Sequence, residues 1–135
     1  MKKAIYLVLS ILLFLVVFTA CGGDTAGHSR EITGNTLYSE GEINGLMDIA
    51  EKHFKGNFDG CKLISINYDE EFSQKRAEGW KKQFSAESAA ILTSSFYVGE
   101  KGGNGSLNPN SIYENWQWVF IKENGFWNLK TWGYG

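Results

Sequence analysis

The stretch from Ile112 to Tyr134 constrains this chain most, because two alternating runs flank Asn124-Gly125. Asn and Gly tolerate the positive φ values of a two-residue type I′ turn, whose twist matches that of paired strands. The pattern predicts strands over Ile112 to Lys122 and Phe126 to Tyr134, with Glu123 opposite Phe126. Regular pairing then sets Phe120 opposite Leu129, Trp118 opposite Thr131 and Trp116 opposite Gly133. Trp116, Trp118, Phe120, Trp127 and Leu129 form the expected core face. Gln117, Val119 and Ile121, with Lys130, Trp132 and Tyr134, form the other. A slip of one residue would turn one strand's core set outward, so this pattern specifies the register.

Upstream, Ser39-Glu40-Gly41-Glu42 reads as a capping box, with a hydroxyl and a carboxylate placed to satisfy orphan N–H groups. Ile43, Leu46, Met47, Ala50 and Phe54 recur at helical spacing, which predicts an amphipathic helix from about Glu40 to Lys55. Cys61 to Tyr68 reads as a strand with Ile64, Ile66 and Tyr68 on one face. A second helix follows Asp69, with the stripe Phe72, Arg76, Ala77, Trp80 and Phe84. Gly79 weakens it by about 1 kcal/mol relative to alanine. Ala90 to Val98 is the next strand, with Leu92, Phe96 and Val98 on one side. Gly99 to Ser111 reads as a loop. Its Gly102-Gly103-Asn104-Gly105 run lacks the Lys and Ser/Thr of a phosphate loop and the carboxylates of a calcium loop.

The order is helix, strand, helix, three strands. Two amphipathic helices must bury their stripes, so the expected class is α+β, with both helices packed on a curved antiparallel sheet of about four strands. That order resembles the nuclear transport factor 2-like cone, in which a curved sheet wraps around a long first helix. A likeness of topology implies no particular activity.

The N-terminus reads as a targeting segment. Met1-Lys2-Lys3 is a positive n-region, and Ala4 to Phe18 is apolar apart from Ser10. This run is short for a membrane span of about 20 residues and suits a signal-peptide h-region. Phe18-Thr19-Ala20-Cys21 then reads as a lipobox, with Phe18 where leucine is usual. The expectation is a signal peptide over 1–20 and a diacylglycerol on Cys21, holding the protein to the outer face of the cytoplasmic membrane. An uncleaved anchor helix and an ordinary secretory signal are the alternatives. Residues 21–36 are small and polar and read as a flexible tether, with His28 solvated, leaving a single domain over 37–135. With Cys21 lipidated, Cys61 has no partner in the chain, and a buried structural thiol is the favoured reading.

Several segments also resemble, in order, a family of short Gram-positive surface lipoproteins catalogued as domain of unknown function 4829. They are Gly60-Cys61, Tyr68-Asp69-Glu70-Glu71, Ser94-Ser95-Phe96, the run from Gly105 to Ser111, Tyr113, Trp116-Gln117-Trp118 and Trp132-Gly133-Tyr134. The resemblance spans roughly Tyr38 to Tyr134. It implies a cell-surface lipoprotein and no reaction.

Candidate chemistry is sparse. His53, at the edge of the first helix's apolar stripe, is the candidate pocket base, or else a rim histidine favoured as a cation near the helix C-terminus. Tyr68 could pair with Asp69, or pack while Asp69 caps the second helix. With Trp116 and Trp118, these residues outline a candidate pocket beneath the sheet. Glu70 and Glu71 are adjacent, so their side chains diverge, unlike a glycosidase pair. One folded histidine and one free cysteine are too few ligands for a zinc site, and neither a metal nor a cofactor is expected. The full chain carries 13 basic and 15 acidic residues, and no basic cluster suits nucleic acid. The favoured reading is a non-enzymatic module that binds a small molecule or a protein at the membrane. The alternatives are a cone-fold isomerase or dehydratase using His53, or an accessory subunit of a membrane complex. Trp132 and Tyr134 could stack on sugars, anchor a partner, or lie beneath the second helix.

Overall fold

The computed structural model describes residues 22–103 and 107–134. Cys21 and the leader before it lie outside the described residues, as do Asn104 and Gly105 of the glycine-rich loop. The elements run β1 (Ser29–Thr33), α1 (Glu40–Asn57), β2 (Cys61–Asp69), α2 (Glu70–Phe84), β3 (Ser88–Val98), β4 (Ser111–Glu123) and β5 (Phe126–Gly133). The class is α+β. The sheet has five strands in the order β1-β2-β3-β4-β5, not four, and it is mixed. β1 runs parallel to β2, and the remaining neighbours are antiparallel.

β1 overturns the reading of residues 21–36 as a flexible tether. Ser29 to Thr33 pair with Ser65 to Asp69. Packing starts earlier still. Gly23 donates its N–H to the Lys55 carbonyl at 3.0 Å. Asp24 bridges β2 on both sides, donating to the Cys61 carbonyl at 2.9 Å and accepting from Leu63 N–H at 2.8 Å. A Cβ on Gly23 would sit 2.5 Å from the Phe54 carbonyl oxygen, so the close approach requires glycine. His28 is not solvated; its ring contacts the Thr25 carbonyl and the Glu51 carboxylate. Arg30 bonds Glu51 at 2.9 and 2.7 Å, Asp48 at 2.6 Å and Asn44 Oδ1 at 2.8 Å. An edge strand is held by its ladder and such side-chain links, so it forms with almost no apolar content of its own.

α1 forms as its pattern requires. Ser39 Oγ accepts from Glu42 N–H at 3.1 Å, and Ile43, Leu46, Met47, Ala50 and Phe54 are buried. The Glu42 carboxylate turns away from the cap and accepts from Trp127 Nε1 at 3.0 Å. The helix packs on one face of the sheet, against Leu63, Ile66, Tyr68, Leu92, Phe96, Trp118 and Phe120. Ala89, Ile91, Val119 and Ile121 are also buried, one residue out of phase with that set. They therefore occupy the opposite face, where α2 lies; Ser73 Oγ accepts from Ile91 N–H at 3.0 Å. The sheet is thus covered by one helix on each side.

The stripe expected on α2, Phe72, Arg76, Ala77, Trp80 and Phe84, is half-buried while the opposite side of the helix is exposed. Ser73 is the buried residue of that helix, while Phe72 receives the Arg76 guanidinium at 3.6 Å and Trp80 stacks on Phe84 at 6.0 Å. Ser73 makes the close contact with β3 through Ile91 N–H, and Ala77 and Ala89 line a cleft beside it.

Three bulges reset the strand faces. Ile64 is the extra residue between the Leu63–Phe96 and Ser65–Ser95 pairs, so it points outward. The core face of β2 is Cys61, Leu63, Ile66 and Tyr68 rather than Ile64, Ile66 and Tyr68. A second bulge lies between the Ser94–Trp116 and Phe96–Tyr113 pairs, where Asn115 has φ +56°. The third lies in the hairpin. Glu123 pairs with Phe126 and Phe120 with Leu129 as the turn dictates, and Asn124 and Gly125 have φ +53° and +80°. Lys130 is then the extra residue: Val119 pairs with Thr131, Trp118 with Trp132 and Gln117 with Gly133. The expected Trp118–Thr131 and Trp116–Gly133 pairs are overturned. So is the placement of Trp132 and Tyr134 beside α2, because one added residue inverts the alternation beyond it.

Candidate functional site

The C-terminal turn of α1 faces the paired ends of β4 and β5, and aromatic rings fill the space between them. The His53 ring lies 4.0 Å from the Trp132 ring, 5.9 Å from that of Trp118 and 6.3 Å from that of Phe58. Phe58 in turn meets the Trp116 ring edge-on at 6.0 Å. Tyr134 packs at 5.5 Å from Trp116 and stacks on Tyr113 at 5.7 Å. The inner rings are closed off: Trp118 is 1% exposed and its Nε1 donates to Ser94 Oγ at 2.8 Å. The outer pair is open, with Trp132 42% and Tyr134 62% exposed. β5 ends the sheet, so these two rings line a free edge.

Two polar atoms inside this group are unsatisfied. His53 Nε2 and Trp116 Nε1 are buried and have no hydrogen-bond partner among the described residues. Asn57 Nδ2 lies 3.4 Å from His53 Nδ1. An amide donor there makes Nδ1 the acceptor and leaves the neutral ring's proton on Nε2. Burial lowers the His53 pKa, so the ring is held neutral rather than as the cation that a helix C-terminus favours. Each buried donor without an acceptor costs about 1–3 kcal/mol. Both such donors lie within the same group of aromatic rings around Phe58.

His53, Trp116 and Trp118 are therefore brought together, and Tyr68 is not. Tyr68 pairs with Ile32 of β1 toward the other end of β2, beside the start of α2. Its hydroxyl is buried without a partner among the described residues, and its pKa is pushed up to about 12 by burial and by the nearby Glu70 carboxylate. Asp69 caps α2, accepting from Phe72 N–H at 3.1 Å. The neighbouring carboxylates diverge: Glu70 accepts from Leu37 N–H and Thr36 Oγ1, while Glu71 pairs with Lys75. Trp132 and Tyr134 are the site residues that strand alternation misplaces, and only the bulge at Lys130 could have revealed them.

A separate cleft of about 480 Å³ lies on the α2 side, lined by Tyr38, Ser73, Ala77, Lys81, Ser88 and Ala89 among others. It shares no residue with the expected pocket. Among the described residues, no group of three or more His, Cys, Asp or Glu side chains is gathered as a metal site would need. No described helix is long and apolar enough to cross a membrane. No family model, curated protein or solved structure matches the chain.

Proposed function

We propose that this protein is a lipid-anchored, non-catalytic binding domain on the outer face of the cytoplasmic membrane. Its ligand or protein partner docks on the β5 edge, where Trp132 and Tyr134 cover His53 and Trp116. The observation that carries this reading is the pair of buried ring N–H groups without acceptors, set behind two half-open aromatic rings. Aromatic rings supply contact area at little entropic cost, and the hidden donors supply selectivity for a group bearing an oxygen acceptor. The lipobox at Cys21 and the resemblance to domain of unknown function 4829 support the location. A cone-like wrapping of the sheet around α1 belongs to the same proposal.

The reading of His53 as the base of an isomerase or dehydratase has one observation in its favour, the neutral ring. Its neighbours argue for binding instead, because the ring meets three aromatic side chains and Asn57 rather than a carboxylate. The test is photocrosslinking on intact cells from position 134, with position 126 on the hairpin as control. One partner captured from 134 and not from 126 supports the reading, and equal capture refutes it.

A further inference from the structure

The path of the chain into β1 determines which end of the domain faces the bilayer. Cys21 immediately precedes Gly22, and consecutive Cα atoms are only about 3.8 Å apart. Gly22 and Gly23 are already packed: a Cβ on Gly22 would collide with the Lys55 carbonyl, and Gly23 donates to that same oxygen. A lipid on Cys21 would therefore leave no slack between membrane and domain. It would hold the C-terminal end of α1 and the start of β2 against the headgroups.

The same end of the sheet carries an uncovered apolar patch. Asp24 lies beside Lys62, Lys62 pairs with Tyr97, and Tyr97 pairs with Ile112. These are three strand spacings, so Ile112 lies about 14 Å from the entry point of the chain. Tyr97, Ile112 and the bulged Ile64 are all exposed, Ile112 at 60%. They occupy the face of the sheet that α2 covers farther along, over Ala89, Ile91, Val119 and Ile121. The charges of this end are of both signs, with Lys55, Lys62 and Lys101 near Asp24, Asp59 and Glu100. A tyrosine beside isoleucines suits the boundary between headgroups and acyl chains.

We infer that the domain docks directly on the bilayer through Ile64, Tyr97 and Ile112, with the Asn124-Gly125 turn pointing away. This rests on lipid attachment at Cys21. The patch is too small to hold a soluble domain on a membrane, and the anchor makes its contact an intramolecular one. With charge balanced, docking takes a zwitterionic surface as readily as an anionic one. Tyr134 stacks on Tyr113, the neighbour of Ile112, so the open rings of the β5 edge lie at the same end of the domain as this patch.

The test uses the full lipidated chain in vesicles, with an environment-sensitive fluorophore on a single introduced cysteine in a Cys61→Ser background. Ile112→Cys reports the patch, and Phe126→Cys reports the hairpin tip, roughly 35 Å away along β4. In phosphatidylcholine vesicles the label at 112 should brighten severalfold and be quenched by brominated acyl chains, while the label at 126 stays water-like. Adding phosphatidylglycerol should change neither, and Ile64→Ser with Tyr97→Ser should diminish the signal at 112. Two water-like labels on a lipidated chain would overturn the docking and leave the binding reading standing. Brightening at 112 without bromine quenching would overturn it in favour of contact with a second copy of the chain. A chain with no diacylglycerol on Cys21 by mass spectrometry would remove both the anchor and the docking.

Discussion

Trp132→Ala tests the bulge at Lys130 and the site together. The ring is 42% exposed, so it covers a little over half of a large aromatic side chain. At ~25 cal/mol per Å² on ~140 Å² of covered surface, reduced for residual burial in the unfolded chain, the loss is roughly 2–3 kcal/mol. Phe126→Ala, at a ring 74% exposed beside the turn, should cost under about 0.5 kcal/mol. Urea denaturation of both variants gives the comparison. The second readout is His53. Burial holds its pKa below the ordinary 6.5, and Trp132 is the closest ring over it. Removing that ring should raise the His53 pKa toward 6.5, read from the imidazole proton shifts in an NMR titration. The pH dependence follows. The unfolded chain binds the proton first, so stability falls as pH drops below the ordinary histidine value, and the loss is complete below the folded value. Trp132→Ala should shrink that loss. An unchanged His53 titration, with a stability cost no larger than that of Phe126→Ala, would refute the bulged register and place Trp132 on the α2 side.

Other perturbations test the rest of the architecture. Trp118→Ala deletes a buried aromatic and strips Ser94 of its donor, so it should cost about 3–5 kcal/mol in chemical denaturation. Arg30→Ala leaves the shielded Glu51 with His28 alone, and should cost about 1–2 kcal/mol while speeding amide exchange across β1 ahead of β3. Cys61 is buried, and burial raises its thiol pKa, so a thiol reagent should label it only after unfolding.

Where the sequence is legible, one period governs a whole element. α1 could be read because its apolar residues keep helical spacing from Ile43 to Phe54, and the turn because Asn124-Gly125 carries its own backbone requirement. β1 could not. Its one partly buried apolar residue is Ile32, and what holds it is distant in sequence, in Ser65 to Asp69 and in Asp48 and Glu51. The bulges were equally hidden. Ile64 and Lys130 are ordinary strand residues, and only Asn115, a residue that tolerates positive φ, carries a local cue. The α2 face was legible as well, since Phe72, Arg76, Ala77, Trp80 and Phe84 are half-buried; Ser73, the fully buried residue beside them, is polar and carries no apolar signal.

The bulges also explain why this aromatic-rich chain gathers its rings at one edge. Tyr113 and Trp116 are three residues apart, so strict alternation would put them on opposite faces; the added residue at Asn115 brings both to Phe96. Leu129 and Trp132 are likewise three apart, and Lys130 brings Trp132 and then Tyr134 to the side where Leu129 already packs. Without these two insertions, Tyr113, Trp132 and Tyr134 would lie on the α2 face of the sheet. The core itself does not require the arrangement, since Phe54, Phe96, Trp118 and Phe120 already fill it. What the insertions add is a set of partly open rings around His53 Nε2 and Trp116 Nε1. Ladder bonds are disrupted at each bulge, and two donors are left without acceptors. Both costs fall on the same edge of the sheet, where a bound group that accepts from those donors would offset the second.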